Sequence, residues 1–397
     1  MSAVIPTTAT AAAHSAPREA TRIPELDGIR GVAILVVVAF HYFWTRIPIP
    51  RTGAWAYMMR LGLTGWAGVD LFFVLSGFLI GSIVLGARSA PYYYSTFYAR
   101  RACRIFPIYF VLVGLTFIGA MLLPASMKPL VGPGDVPWLA YVTFTQNIWM
   151  AMAGNMGMIA LAITWSLAVE EQFYLLLPVI VRNVKERWLP VLLGVAIVGA
   201  PLLRRELANH GLADNAAYVL LPCRADALAW GVLAAWALRR EEIRAWCAQR
   251  QLVFLAIFAI FVAGFIGLAE TGFSQYKRSM LFYGYTWISM SAATMIVIAV
   301  TQPDSPVSRV LRTRVLRAWG QVAYGVYLIH ATVYWLLFQT GLHQAATTVL
   351  AVALTWGLAQ ASWKWFESPI LRLGRRVDYW ARPRLVQQPS PSLVLSE

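Results

Sequence analysis

Apolar stretches of about 16 to 21 residues recur along nearly the whole chain, separated by shorter segments that hold most of its charges. Runs of that length fit the hydrocarbon core of a bilayer better than one face of a soluble helix. The pattern predicts ten membrane spans, at about 31–47, 66–86, 105–123, 165–181, 188–203, 222–238, 251–269, 281–301, 320–340 and 345–363. The predicted fold class is therefore all-α, a polytopic bundle of about ten transmembrane helices. Pro137 to Met152 is also apolar but contains Gln146-Asn147. Lipid would leave those amides without partners, so this stretch is read as a re-entrant or interfacial helix packed on protein. Residues 1–21 are rich in Ala, Thr and Ser. They lack a basic start followed by an apolar core, so they read as a disordered cytoplasmic tail and not as a signal peptide. Residues 22–375 form the expected membrane domain, and 376–397 a second cytoplasmic tail. The first span then serves as the uncleaved insertion signal.

Composition supports a membrane solvent. The 397 residues are 59% hydrophobic and 13% charged, and the 17 Trp and 17 Tyr suit positions at headgroup level. A net charge of +15 raises nucleic acid as a partner, but the basic residues fall between spans and form no continuous surface, which excludes it. With the N-terminus inside, roughly three quarters of the 33 Lys and Arg lie on the cytoplasmic side. Both termini are accordingly expected in the cytoplasm, with the chain multi-pass in the inner (plasma) membrane. Were 137–152 to span, every later loop would invert and the asymmetry would collapse. Cys103, Cys223 and Cys247 show neither disulfide-framework nor metal spacing, and no metal site is expected.

Several polar residues stand where the bilayer should exclude them. Arg30 and His41 are eleven residues apart, about three helical turns, so they share a face roughly 16 Å apart along the axis. An imidazole at that depth is a functional candidate by default, although a membrane His also often serves only to bond a neighbouring helix. In the second span Asp70 and Gly77 share a face, with Ser76 beside them. Ser166, Glu170 and Tyr174 repeat every four residues as one stripe, while Glu171 points elsewhere and reads as structural. Tyr327, His330 and Tyr334 lie on one face of the ninth span. Polar faces in a bundle should turn inward and meet. Arg100, Arg101 and Arg104 cluster beside a membrane helix. They read either as an anion site, where Arg suits phosphate, or as ordinary positive-inside bias or lipid-headgroup binding.

In order along the chain stand Asp27-Gly28-Ile29-Arg30-Gly31, Arg30-x10-His41, Gly68-Val69-Asp70-Leu71-Phe72-Phe73-Val74-Leu75-Ser76-Gly77-Phe78, and Arg101-x2-Arg104-Ile105-x-Pro107. Trp165-Ser166-Leu167-x2-Glu170-Glu171-Gln172-Phe173-Tyr174, Gly320-x3-Tyr324-x2-Tyr327-Leu328-Ile329-His330 and Phe366-Glu367-Ser368-Pro369 follow. Together these blocks, over about residues 22–370, resemble the membrane-bound acyltransferase-3 family of bacterial O-acyltransferases, in its stand-alone type without an added esterase-like domain. The resemblance implies ten helices and transfer of an acyl group, usually acetyl from acetyl-CoA, to a hydroxyl of a cell-envelope glycan, a glycolipid or a secreted small molecule such as a macrolide. Acyl-CoA is then a co-substrate, and no resident cofactor is implied.

Acyl transfer to a hydroxyl needs a base, a group that orients it and donors for the oxyanion. His41 is the expected base, with Glu170 or Asp70 holding it; an acyl-His41 intermediate is an alternative. Arg30, Arg101 and Arg104 are expected to bind the donor's phosphates. Ser76, Ser166, Tyr174, Tyr327 and His330 are expected in the pocket, although His330 and Asp70 also have structural readings. Arg224 and Asp226 are expected to pair with each other, and Glu367 with an arginine of the basic cluster. A secondary transporter would also bury ionisable groups at mid-depth, but it usually carries an internal repeat, which is not evident here. No His-x4-Asp, Gly-x-Ser-x-Gly or P-loop motif occurs.

Overall fold

Residues 23–44, 53–124, 134–210, 214–270 and 274–380 are described by the computed structural model. The expected tail 1–21 and residues 381–397 of the C-terminal tail lie outside them. Among the described residues, eight helical units are long and apolar enough to cross a bilayer: Pro24–Phe43, Ala54–Gly86, Tyr93–Leu122, Ile159–Asn183, Glu186–Asn209, Asn215–Leu238, Met280–Thr301 and Gln344–Arg375. Two further units are bent pairs, Glu241–Gln249 with Gln251–Gly267 at 78° and Arg314–Gln321 with Ala323–Phe338 at 75°. Counting each pair once gives the ten expected spans in order, and the chain is an all-α polytopic membrane protein.

The helices that build the site are α1 (Pro24–Ala39), α2 (Gly68–Gly86), α3 (Tyr93–Leu122), α4 (Trp138–Val142), α5 (Gln146–Ala153), α6 (Trp165–Asn183), α7 (Leu189–Asn209), α8 (Leu221–Leu238), α9 (Tyr285–Thr301), α10 (Arg314–Gln321), α11 (Ala323–Phe338) and α12 (Gln344–Ser362). Two features depart from simple periodicity. α1 gives way at Phe40–Trp44 to a π-helical turn that carries His41. α3 begins well before the apolar run, at Tyr93, and continues through Pro107, so the arginine cluster expected in a loop lies on a helix. Arg101 and Arg104, three residues apart, therefore share a face.

Close helix contacts explain glycines in three motifs. A methyl on Gly77 of α2 would fall 2.1 Å from the Leu228 carbonyl oxygen of α8, and one on Gly231 2.0 Å from that of Val74. Small residues at such crossings let membrane helices pack backbone to backbone. Likewise a methyl on Gly28 would meet the Leu311 carbonyl oxygen at 1.9 Å, and one on Gly320 that of Asp27 at 1.8 Å. The Asp27–Gly31 lead-in is thus pressed against the segment that leads into α11.

The 137–152 stretch folds as α4 and α5, of 5 and 8 residues, joined across Phe144 at φ 53°. Helices of that length do not cross a bilayer. Gln146 and Asn147 are fully buried and dock the segment on protein. Gln146 Nε2 donates to Thr164 O at 3.0 Å and to the Tyr109 hydroxyl at 3.2 Å, and Asn147 Nδ2 donates to Val219 O at 3.2 Å.

Candidate active site

A cavity of about 270 Å³ lies between α1, α2, α3, α6 and the start of α11. Its α2 wall runs from Val69 to Ile83, about 21 Å of helix, through Phe72, Ser76 and Leu79. Arg30, Arg101 and Arg104 line the cavity with Glu170, Tyr174, Ser166 and Tyr327. Arg30 donates to Asp27 Oδ1 at 2.8 Å. The Arg101 guanidinium lies 6.0 Å from the ring centres of Phe97 and Tyr174. Neither Arg101 nor Arg104 donates a hydrogen bond to another described residue. Arg100, the third member of the cluster, is instead spent on Val377 O at 2.7 and 3.0 Å.

The stripe on α6 is realised as a hydrogen-bonded chain. Tyr174 donates its hydroxyl proton to Glu170 Oε2 at 3.1 Å, so Ser76, 2.5 Å from that hydroxyl, is the donor to Tyr174. One turn earlier Ser166 Oγ lies 2.6 Å from the Tyr327 hydroxyl of α11. Tyr327 is the residue that joins the cavity to the histidines. Its ring centre lies 6.1 Å from that of Phe72 and 5.8 Å from that of His330.

His41 and His330 are in contact, with ring centres 4.9 Å apart and His330 Nε2 3.3 Å from His41 Nδ1. His41 Nδ1 also lies 2.9 Å from Val37 O, and His330 Nδ1 2.7 Å from Tyr327 O. A carbonyl oxygen only accepts, so each neutral ring carries its proton on Nδ1 and its lone pair on Nε2. His330 is fully buried and is held further by Tyr42, whose hydroxyl donates to His330 O at 2.8 Å. His41 does not line the cavity with Arg30: the π turn places it beyond Tyr327, against α11.

Three expected pairings are corrected. Asp70 neither lines the cavity nor faces His41; it is buried and ion-paired with Arg224. Arg224 in turn lies 4.0 Å from the Tyr285 ring centre and within 6 Å of those of Phe73, Trp165 and Tyr218. Asp226 pairs with Arg204 at 2.9 Å, not with Arg224. Glu367 accepts from Ser362 Oγ at 3.0 Å and makes no ion pair with an arginine among the described residues. Partner choice of this kind depends on how α2, α7 and α8 are placed, which spacing within one span does not encode. Tyr324 was given no role by residue-level reasoning, yet it lines the cavity and donates to Ile105 O at 2.8 Å. Its three-residue spacing from Tyr327 was the available signal. Among the described residues no group of three or more His, Cys, Asp or Glu could hold a metal ion.

A family model described as "Acyltransferase domain" matches residues 23–363. The Peptidoglycan O-acetyltransferase OatA of Listeria monocytogenes is 27% identical over 374 residues, 89% of this chain and 56% of the relative. The O-acetyltransferase OatA of Staphylococcus aureus is 26% identical over 378 residues, 89% of this chain and 58% of the relative. The chain thus spans little more than half the length of these curated relatives. No solved structure matches it.

Proposed function

The chain belongs to the acyltransferase-3 family, and from that premise we propose that it moves an acetyl group from acetyl-CoA to a hydroxyl of a cell-envelope glycan. The observation that carries this reading is one cavity with unlike ends. At one end stand two guanidiniums that donate to no described residue; at the other, Tyr327 separates the cavity from a pair of histidines. Arginine without a partner in a low-dielectric site suits phosphate, through charge-assisted and bidentate bonds. Arg101 and Arg104, with Arg30 beside them, are the donor-phosphate residues in this reading. The arginine end then faces the cytoplasm, where CoA is made, and the membrane is the inner (plasma) membrane with both termini inside.

The apolar wall of α2 between the two ends suits the uncharged arm of the donor. The acceptor hydroxyl gives its proton to His41 Nε2 as its oxygen bonds to the acyl carbon. The carbon–sulfur bond breaks with its electron pair on sulfur, and the proton on His41 passes to the thiolate. Ser166 and Tyr327 share two hydroxyl protons between each other and Ile163 O, and a turn of the one bonded to Ile163 O toward the acyl oxygen supplies the oxyanion donor. Glu170 acts through Tyr174 and Ser76 as a fixed acceptor on the cavity wall and not as the group that orients His41. Both relatives carry O-acetyltransferase in their names, and the Listeria protein's name specifies peptidoglycan. Peptidoglycan glycan strands are accordingly the acceptor to test first.

The experiment is thiol release from acetyl-CoA by the purified chain in nanodiscs, with and without glycan strands, and ester analysis of the product. Acceptor-dependent thiol release with a new O-acetyl ester is expected. Absence of acetyl-CoA binding would overturn the proposal; binding without ester formation on glycan would overturn the acceptor.

A further inference from the structure

The expected carboxylate partner of His41 is not supplied by Asp70 or Glu170: Asp70 is taken by Arg224 and Glu170 by Tyr174. A histidine stands close instead. We infer that His330 is the positioning residue for His41, acting as a neutral acceptor for its Nδ1 proton; this rests on the base role proposed above.

The tautomers carry the argument. Val37 O at 2.9 Å obliges His41 to hold its proton on Nδ1, which leaves the Nε2 lone pair to act as base. Tyr327 O at 2.7 Å obliges His330 likewise, which leaves His330 Nε2 as an acceptor 3.3 Å from His41 Nδ1, the atom that carries the His41 proton. The single Nδ1–H of His41 is therefore shared between a carbonyl and an imidazole. When Nε2 takes the proton of the acceptor hydroxyl, His41 becomes a cation in a low-dielectric interior. Such a charge is costly unless it is shared through hydrogen bonds. His330 Nε2 shares it by accepting more strongly from Nδ1–H. No bond to carbon changes at His330, and the proton count is unchanged.

The surroundings hold His330 in that attitude. Its backbone carbonyl accepts from the Tyr42 hydroxyl, which also lies 2.8 Å from Thr355 Oγ1 of α12. The Tyr42 ring stacks on that of Tyr334 at 4.9 Å. Tyr42 belongs to the same π turn as His41, so one irregular turn carries one imidazole and anchors the backbone that bears the other. π turns recur at functional sites because the extra residue re-aims side chains that an α-helix would place elsewhere.

The test compares His330→Gln with His330→Leu in the full chain in nanodiscs. Gln offers a neutral acceptor oxygen near the position of Nε2; Leu fills space without one. With acetyl-CoA and peptidoglycan glycan strands, His330→Leu should lower kcat about 100-fold or more, the low end of what a base contributes. His330→Gln should stay within about tenfold of wild type, and the KM for acetyl-CoA should be unchanged in both. Wild-type kcat in His330→Leu, equal losses in the two variants, or a loss confined to KM would overturn the inference. A second readout is independent of activity. In ¹⁵N-histidine spectra, the resonance missing from His41→Ala should show the Nδ1–H tautomer in the wild type. Its Nδ1 proton should move upfield in His330→Leu and less in His330→Gln. An unmoved proton in His330→Leu overturns the inference even if the wild type transfers no acetyl group, which would by itself refute only the proposed function.

Discussion

Two arginines of the same bundle, one fully buried and one half-buried, make opposite uses of the same side chain. Arg204 of α7 is fully buried, and every bond it makes is to protein. It pairs with Asp226 through two nitrogens and donates to Leu281 O, Cys223 O and Thr286 Oγ1. Arg104 of α3 lines the cavity and donates to no described residue. A guanidinium has five N–H donors, and leaving them unmet away from water is costly. The first residue meets that cost internally and is structural; the second leaves its donors facing a cavity, where an anionic ligand can satisfy them. Burial of charge alone would have ranked Arg204 as the better functional candidate, and partner accounting reverses the order.

The contrast can be broken or sharpened at several points. The largest effect is expected where chemistry depends on one lone pair. His41→Ala should lower the acetyl-transfer rate about 10²–10⁴-fold while leaving the melting temperature near wild type. Retention of more than about a tenth of the initial rate would remove His41 as the base.

The next effect belongs to the structural arginine. Arg204→Met strands the Asp226 carboxylate in the protein interior, and breaking such a buried pair costs about 3–5 kcal/mol. A clear drop in thermal stability in detergent is the expected result. A variant as stable as wild type would show that Arg204 is not the closed counterpart of Arg104.

Arg104→Ala and Arg101→Ala should do the reverse. Each charged hydrogen bond to phosphate is worth about 1.5–3 kcal/mol, so the KM for acetyl-CoA should rise about tenfold or more, with stability little changed. Unchanged donor dependence in a folded variant would favour lipid-headgroup binding by the cluster. The smallest effect is expected on the cavity wall. Tyr174→Phe removes the donor to Glu170, a bond worth about 1.5–3 kcal/mol at most because its acceptor is a carboxylate. A shift in kcat larger than that of His41→Ala would make Glu170 the principal catalytic group.

Much of this was legible along the chain. The apolar runs defined ten spans because length and hydrophobicity are local properties that the bilayer reads directly. The stripe Ser166–Glu170–Tyr174 was legible because a four-residue repeat on an α-helix can only form one face. The non-spanning character of 137–152 was legible in Gln146-Asn147, whose amides required protein partners and found them in Thr164, Tyr109 and Val219. The arginines on α3 were recognisable by type, although the helix start at Tyr93 was hidden by the polar residues that precede the apolar run.

What spacing could not reach were the pairings between spans. Asp70 lies 154 residues from Arg224, and His41 lies 289 from His330. Arg224 had an acidic neighbour two positions away, yet successive positions on a helix face different directions, and the crossing of α2 with α8 at Gly77 and Gly231 gave it Asp70 instead. His41 illustrates the same division within one residue. Its identity and approximate depth follow from the chain alone, because an ionisable side chain in an apolar span is conspicuous. Its orientation does not, because the turn from Phe40 to Trp44 abandons the α-helical register on which the shared face with Arg30 depended. Local hydrogen bonding and hydrophobic length determine helices from sequence. Which polar group meets which is decided only when the packed bundle brings donors and acceptors of different spans within reach of one another.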